Sequence, residues 1–214
     1  MNFFSFIRVH FFCLLFSLLF SACHFSEQDS EICFVGDSIT YMWDLSYYFP
    51  EYAISKHAVV AYTLQDISKL NTKDCANRQT VILIGTNNIP AALSDSDTLS
   101  DTFIESFNAD YSELLYSFQA KKVYVVSVLP RNDSWVKKHN EFYTGLSVNK
   151  EIKKLNQSIV KMLERSSLNY EYINVYPSFL DKDGNIFEDY YSDNLHLSEE
   201  GYELLSFKIR EYLE

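Results

Sequence analysis

Ile32-Cys33-Phe34-Val35-Gly36-Asp37-Ser38-Ile39-Thr40 is an apolar run that ends on a glycine and passes at once into a turn carrying a serine. A short apolar run bounded by turn residues reads as a buried strand. A serine on the tight turn from such a strand into a helix is held with its hydroxyl exposed, as a nucleophile requires. The stretch therefore predicts a parallel α/β sheet with a reactive side chain at the C-terminal end of its first strand.

Two further stretches answer it. Val81-Ile82-Leu83-Ile84 is a second buried-strand pattern and runs into Gly85-Thr86-Asn87-Asn88. This places the Asn87 amide at a strand's C-terminal edge, where an N–H can meet a developing oxyanion; the alternative is an Asx-turn that closes the strand. Near the C-terminus, Asp193-Asn194-Leu195-His196 sets a carboxylate three residues before an imidazole, so that one loop can hold and orient the ring. Read alone, that spacing is also a capped helix start, and Gly-Asp-Ser alone is also a plain turn. Three of the five glycines, Gly36, Gly85 and Gly201, lie in or beside these stretches, where positive φ or close backbone approach is useful. No other histidine (His10, His24, His57 or His139) has a carboxylate at the same spacing, and His139 lies in a polar loop with Trp135 and Lys138.

Together and in this order, the three stretches resemble the blocks of the SGNH, or GDSL-type, serine hydrolases, from Ile32 to Leu213. The resemblance implies a three-layer α/β/α sandwich on a five-stranded parallel sheet of flavodoxin-like type. It implies Ser38 as nucleophile, His196 as general base and acid, and Asp193 as the group that fixes the imidazole tautomer. It also implies an oxyanion hole made from the Ser38 N–H, the Asn87 side chain and a backbone N–H of a second block, with no cofactor and no metal. The chain departs from the family at that second block. Where the family carries a glycine, Ala58-Val59-Val60-Ala61-Tyr62-Thr63-Leu64-Gln65-Asp66 has Ala61. Alanine keeps the N–H but adds a Cβ, so the donor survives at negative φ and is misdirected if φ must be positive. Asp37 reads as structural, bonding nearby backbone.

The other strands are expected at 53–61, 122–129 and 171–176, with the first at 31–35 and the third at 80–85. Helical periodicity is clearest over 100–119 (Phe103, Phe107, Asp110 or Tyr111, Leu114, Phe118), 146–166 (Val148, Ile152, Leu155, Ile159, Leu163) and the C-terminal segment (Tyr202, Leu205, Ile209, Leu213). Ser198 followed by Glu199 and Glu200 suits the start of that last helix. Alternating strands and helices bring Ser38, Ala61, Asn87, Asp193 and His196 to one edge of the sheet. Asp181-Lys182-Asp183-Gly184-Asn185 lacks the glycine and glutamate spacing of a calcium loop and reads as a turn. No His/Cys cluster has the spacing of a metal site along the sequence.

The 214 residues, 47% of them hydrophobic, suit one domain with a full core. Residues 1–22 read as a signal peptide: Arg8 precedes an apolar core from Phe11 to Phe20, followed by Ser21, Ala22 and Cys23. The segment resembles a bacterial lipoprotein leader, which implies lipidation of Cys23, export to the cell envelope and anchoring to a membrane by acyl chains. Residues 23–30 then serve as a tether and 31–214 as the hydrolase domain. Beyond Cys23 the chain has 17 basic and 29 acidic residues, which argues against nucleic acid as a partner. Of the remaining cysteines, two buried, unpaired thiols are the simpler expectation for Cys33 and Cys75, and a bridge between neighbouring strands is the alternative.

The expected reaction is hydrolysis of a small carboxylic ester, either a short-chain ester or an O-acetyl ester of a carbohydrate. Lysophospholipase-like activity, or a catalytically impaired lipid-anchored binding protein, is the alternative. Trp135, Phe142, Tyr143, Phe187, Tyr190 and Tyr191 lie in loops expected to border the site, as a platform for a sugar ring, as the lining of an acyl slot or as plain packing.

Overall fold

The computed structural model describes residues 31–93, 98–132 and 147–213. Expectations that fall on Cys23, the leader and tether, Trp135, His139, Phe142 and Tyr143 lie outside the described residues. Five strands, β1 (Glu31–Gly36), β2 (Ala53–Ala58), β3 (Gln79–Leu83), β4 (Lys122–Val126) and β5 (Tyr170–Ile173), form one sheet in the order β2-β1-β3-β4-β5. Every pairing is parallel. This is the flavodoxin-like order, with a topological switch point at β1 and β3.

Period-2 alternation divides the core into two layers. Cys33, Val35, Ile82, Val123 and Val125 face one side and pack with α3 (Leu64–Ile67), α5 (Asp101–Ser117) and α6 (Val148–Leu163). Phe34, Val81, Leu83, Tyr124 and Val126 face the other side, against α1 (Ser38–Met42), α2 (Leu45–Tyr48) and α7 (Glu199–Arg210). The short α4 (Asn88–Ala92) follows β3. In α6, Val148, Ile152, Leu155, Ile159 and Leu163 are all buried, a stripe at steps of three and four residues that meets the sheet along one face. Each such side chain contributes about 1.5–3 kcal/mol when removed from water. Ser100, Ser147 and Ser198 cap α5, α6 and α7 by accepting from the N–H of Phe103, Lys150 and Gly201, which satisfies donors that have no partner within the helix. No helix among the described residues is long and apolar enough to cross a membrane.

The strands end earlier than the apolar runs do. β2 stops at Ala58, not Ala61, and β4 at Val126, not Leu129. Beyond those points side chains replace the neighbouring strand as partners. Asn156 Oδ1 accepts from the Val128 N–H at 2.9 Å, and Asn156 Nδ2 donates to the Val128 carbonyl at 2.9 Å. After β5, the N–H groups of Val175 and Tyr176 both donate to Ser127 Oγ, at 3.1 and 3.0 Å. Buried backbone must be paired, and these side chains let the chain leave the sheet and form the loops of the C-terminal edge.

The expectation of two free thiols is corrected. Cys33 and Cys75 form a disulfide, with Cα atoms 5.3 Å apart and a sequence separation of 42. Cys33 projects from β1 towards the α5/α6 side, and the 3-10 turn Lys73–Cys75 that precedes β3 passes beneath it. The pairing of β1 with β3 carries the start of β1 beside the turn that precedes β3, the proximity on which the alternative of a bridge rested. Closing a loop of this length restricts the unfolded chain and is worth about 2–4 kcal/mol. Urea unfolding of the domain with and without reductant should show a stability loss of about that size, and Cys75→Ala should be insensitive to reductant.

Candidate active site

Gly36 ends β1, and a Cβ there would run into the Leu83 carbonyl and the Thr40 side chain. Only glycine lets β1 and β3 pass this closely at the switch point. The chain then turns into α1, with Asp37 as its N-cap: Asp37 Oδ1 accepts from the Ile39 N–H at 3.0 Å. Ser38 is thereby fixed at the first position of the helix.

Ser38 and His196, 158 residues apart in sequence, meet at 3.0 Å between Oγ and Nε2. The other ring nitrogen, Nδ1, lies 2.7 Å from Asp193 Oδ2. Asp193 has a second task, because its Oδ1 accepts from the N–H of Leu195 at 2.6 Å and of His196 at 2.7 Å. One carboxylate thus folds the loop and holds the ring. Its partial burial opposes ionisation, but the hydrogen bond to the His196 ring, those from the two backbone N–H groups and the electrostatic attraction of that same ring outweigh it and hold its pKa below the usual value. An ionised carboxylate accepting from Nδ1–H leaves Nε2 to accept the Ser38 proton.

The sequence predicts an exposed hydroxyl, yet Ser38 is only 2% exposed. The residue sits within the sheet edge, and the imidazole reaching Oγ covers it, with 24% of the His196 side chain accessible. The loop after β1 is also tied to α7. Tyr202 donates its hydroxyl proton to the Ile39 carbonyl at 2.9 Å, and Trp43 Nε1 donates to Ser206 Oγ at 2.9 Å. These contacts of Tyr202, Ser206 and Trp43 are missing from the sequence reading. Apart from the helical spacing of Tyr202, nothing local marks them.

Asn87 reaches across to the loop after β2. Its Nδ2 donates one hydrogen to the Tyr62 carbonyl at 3.0 Å, and a primary amide has a second. The local Asx-turn is not what forms. Its neighbour Asn88, 6% exposed, accepts from the Leu64 N–H at 3.0 Å and donates to Gln65 Oε1 at 2.9 Å. Two consecutive asparagines therefore join the loops that follow β2 and β3. Gly85, at φ +127, starts this turn.

Ala61 has φ +63. Of the two outcomes left open by the sequence, the positive one holds, at a cost of roughly 1–2 kcal/mol for a residue with a Cβ. The flanking turn closes through Val59 N–H to the Gly36 carbonyl and Tyr62 N–H to the Val59 carbonyl. Tyr191 is buried with its hydroxyl on the Pro130 carbonyl at 2.7 Å. Tyr190 packs against Phe179 and Phe187, so both tyrosines are packing groups, while Phe187 is 39% exposed. The Asp181 turn forms as expected, with the N–H groups of Asp183 and Asn185 donating to Asp181 Oδ1. Among the described residues, Cys33, His57 and Cys75 bring potential metal-binding atoms within 4.8 Å of one another. Their two sulfurs are joined in the disulfide, and Asp74 Oδ1 lies 2.8 Å from His57 Nε2.

A serine, an imidazole and a carboxylate in this linear order make an acyl-transfer apparatus. Residues 34–204 match the model of the GDSL-like lipase/acylhydrolase family. The chain belongs to that family. No curated protein matches it. Solved structures resemble it in fold. A Streptococcus pneumonia protein, provisionally described as a platelet activating factor, is 22% identical with TM-score 0.70, over 89% of this chain and 87% of its own. A GDSL-like lipase from Bacteroides thetaiotaomicron is 18% identical with TM-score 0.65, over 87% and 89%. An acetyl xylan esterase is 15% identical with TM-score 0.63, over 86% and 100%. As a GDSL-like acylhydrolase the chain is an ester hydrolase, and the expected α/β fold is the one found.

Burial pushes the Asp37 carboxyl from its ordinary 3.8 up to about 7, against the Ile39 N–H and the His196 ring, which favour its charge. The folded chain therefore keeps a proton that the unfolded chain releases, and this group's contribution to stability declines as pH rises from about 4 to about 7. Asp37→Asn cannot ionise. Its stability relative to the unaltered chain should rise across that window and level off above it, as measured by urea unfolding at a series of pH values.

Proposed function

We propose that the chain is an exported serine esterase that hydrolyses short acyl esters, O-acetyl esters of carbohydrates among them, through an acyl-enzyme on Ser38. The observation that carries the reading is the continuous contact from Asp193 Oδ2 through the His196 ring to Ser38 Oγ, at 2.7 and 3.0 Å. His196 Nε2 takes the Ser38 proton as Oγ attacks the ester carbonyl, and Asp193 stabilises the resulting imidazolium. The oxyanion is met by the Ser38 N–H and the second hydrogen of Asn87 Nδ2. His196 returns the proton to the departing alcohol, and water then clears the acyl group with the roles reversed. No step calls for a cofactor. The acetyl xylan esterase among the structural neighbours supports the carbohydrate side of this reading.

The positive φ of Ala61 favours a second reading, a binding protein that keeps the fold and has lost turnover. A fluorophosphonate probe separates the two, because it labels an activated serine and passes over an ordinary hydroxyl. Labelling of the unaltered domain is expected, and its absence removes the esterase reading. Ser38→Ala should lose both labelling and hydrolysis of p-nitrophenyl acetate. Asn87→Ala removes one oxyanion donor, worth about 2.7–4 kcal/mol, and should slow turnover roughly 10²–10³-fold; a loss below tenfold takes Asn87 out of the hole.

The leader supports export and attachment by lipid at Cys23. Expressed in a bacterium with its leader, the protein should partition into detergent and incorporate labelled fatty acid. Cys23→Ser should do neither.

A further inference from the structure

Beside the loop that carries Asp193 and His196, at the same sheet edge, lies a pocket of about 810 Å3. Arg131 and Asn132, just after β4, form one wall, the start of α6 a second, and the turn 181–188 a third. The Asn132 N–H donates to the Asn194 carbonyl at 3.0 Å, and Asn194 lies between Asp193 and His196 in the chain. The pocket therefore adjoins the segment that holds the imidazole. We propose that it is a subsite for an anionic group, a carboxylate or a phosphate, carried on the sugar-sized alcohol of the ester. The proposal rests on the esterase reading above.

Among the described residues, three cations, Arg131, Lys150 and Lys153, line the pocket in a chain whose net charge is −11. Two carboxylates among the described residues also line it. Asp181 is turned to its own loop, accepting from the N–H of Asp183 and Asn185 at 2.9 Å each, and Glu188 is exposed. The wall that carries Arg131 is fixed through its backbone. Asn149 Oδ1 accepts from the Arg131 N–H at 2.9 Å and its Nδ2 donates to the Arg131 carbonyl at 2.8 Å, while Arg131 itself is only 4% exposed. Lys153 Nζ stands 5.6 Å from the centre of the Tyr176 ring, whose hydroxyl donates to the Asn149 carbonyl. Phe187, at the opposite wall, presents an exposed ring. A cationic wall facing an aromatic face matches a ring-shaped alcohol with one charged substituent. A surplus of one positive charge among the described lining residues, on a strongly acidic protein, also separates such an ester from neutral ones.

The test compares three acetylated methyl glycosides, one neutral, one bearing a carboxylate as a glucuronide and one bearing a phosphate, on the leaderless domain. The ratio of kcat/KM for a charged ester to that for the neutral one should exceed unity and shrink as salt is added. In Lys150→Glu/Lys153→Glu the ratio should fall about tenfold; a ratio that does not move overturns the subsite. Whichever charged ester gives the larger ratio identifies the group. A second arm does not depend on turnover: calorimetric binding of the deacetylated glycosides to Ser38→Ala, with and without the two lysine substitutions. Equal binding of the charged and neutral glycosides sinks the subsite. If no ester is hydrolysed and the fluorophosphonate fails to label, the esterase reading falls, while the binding arm still decides the pocket.

Discussion

The 3.0 Å contact between Ser38 Oγ and His196 Nε2 is the constraint that the rest of the molecule serves. Its two ends belong to opposite ends of the domain, so its length is set by how α7 docks on the sheet beside α1. Apolar packing supplies the force: Ile39, Trp43, Leu205 and Ile209 are each no more than 1% exposed in one layer. Polar contacts supply the register. Trp43 Nε1 bonds Ser206 Oγ, Ser206 Oγ donates to the Tyr202 carbonyl at 2.7 Å, and the Tyr202 hydroxyl bonds the Ile39 carbonyl. A buried donor or acceptor left unpaired costs about 1–3 kcal/mol. Sliding α7 by one turn would break the bonds to Trp43 and Ile39 together, and so the packed layer admits one placement of the imidazole.

The same economy recurs around the sheet edge. Parallel strands must end somewhere, and their last N–H and C=O groups need partners once the neighbouring strand has gone. Asn156, Ser127, Asn149 and Asn88 take over at those points through side-chain bonds to Val128, Val175 and Tyr176, Arg131, and Leu64. Each bond frees a loop to leave the plane while keeping its base rigid. Catalytic geometry needs this rigidity, because donors for an oxyanion act only when held in advance of the charge.

Asp193 shows how few residues can do this. One oxygen folds the loop by accepting two backbone N–H groups and the other holds the imidazole, so ring orientation and loop shape cannot vary independently. Asp37 is the contrasting carboxyl. It caps α1 from a buried position in which its charge is disfavoured. Two acids near one serine thus have environments that push their pKa values apart, one kept ionised and one titrating about neutrality.

Much of this chain was legible in order and spacing. The alternation of apolar runs with helical stripes predicted the parallel sheet, and the turn after Val35, the asparagine after β3 and the Asp193/His196 pair were each recognisable locally, because strand ends and one-loop pairs are short-range features. The φ of Ala61, the choice between free thiols and a bridge at Cys33 and Cys75, the shelter of Ser38 under the imidazole and the bonds of Tyr202 and Ser206 were not legible. Each depends on two segments that the sequence separates by tens of residues and that only packing against a common sheet brings together. Periodicity tells which face a residue turns inward, and it carries no information about what waits on the other side. The tertiary structure alone decided that, by closing polar contacts that a shifted arrangement would leave buried and unpaired.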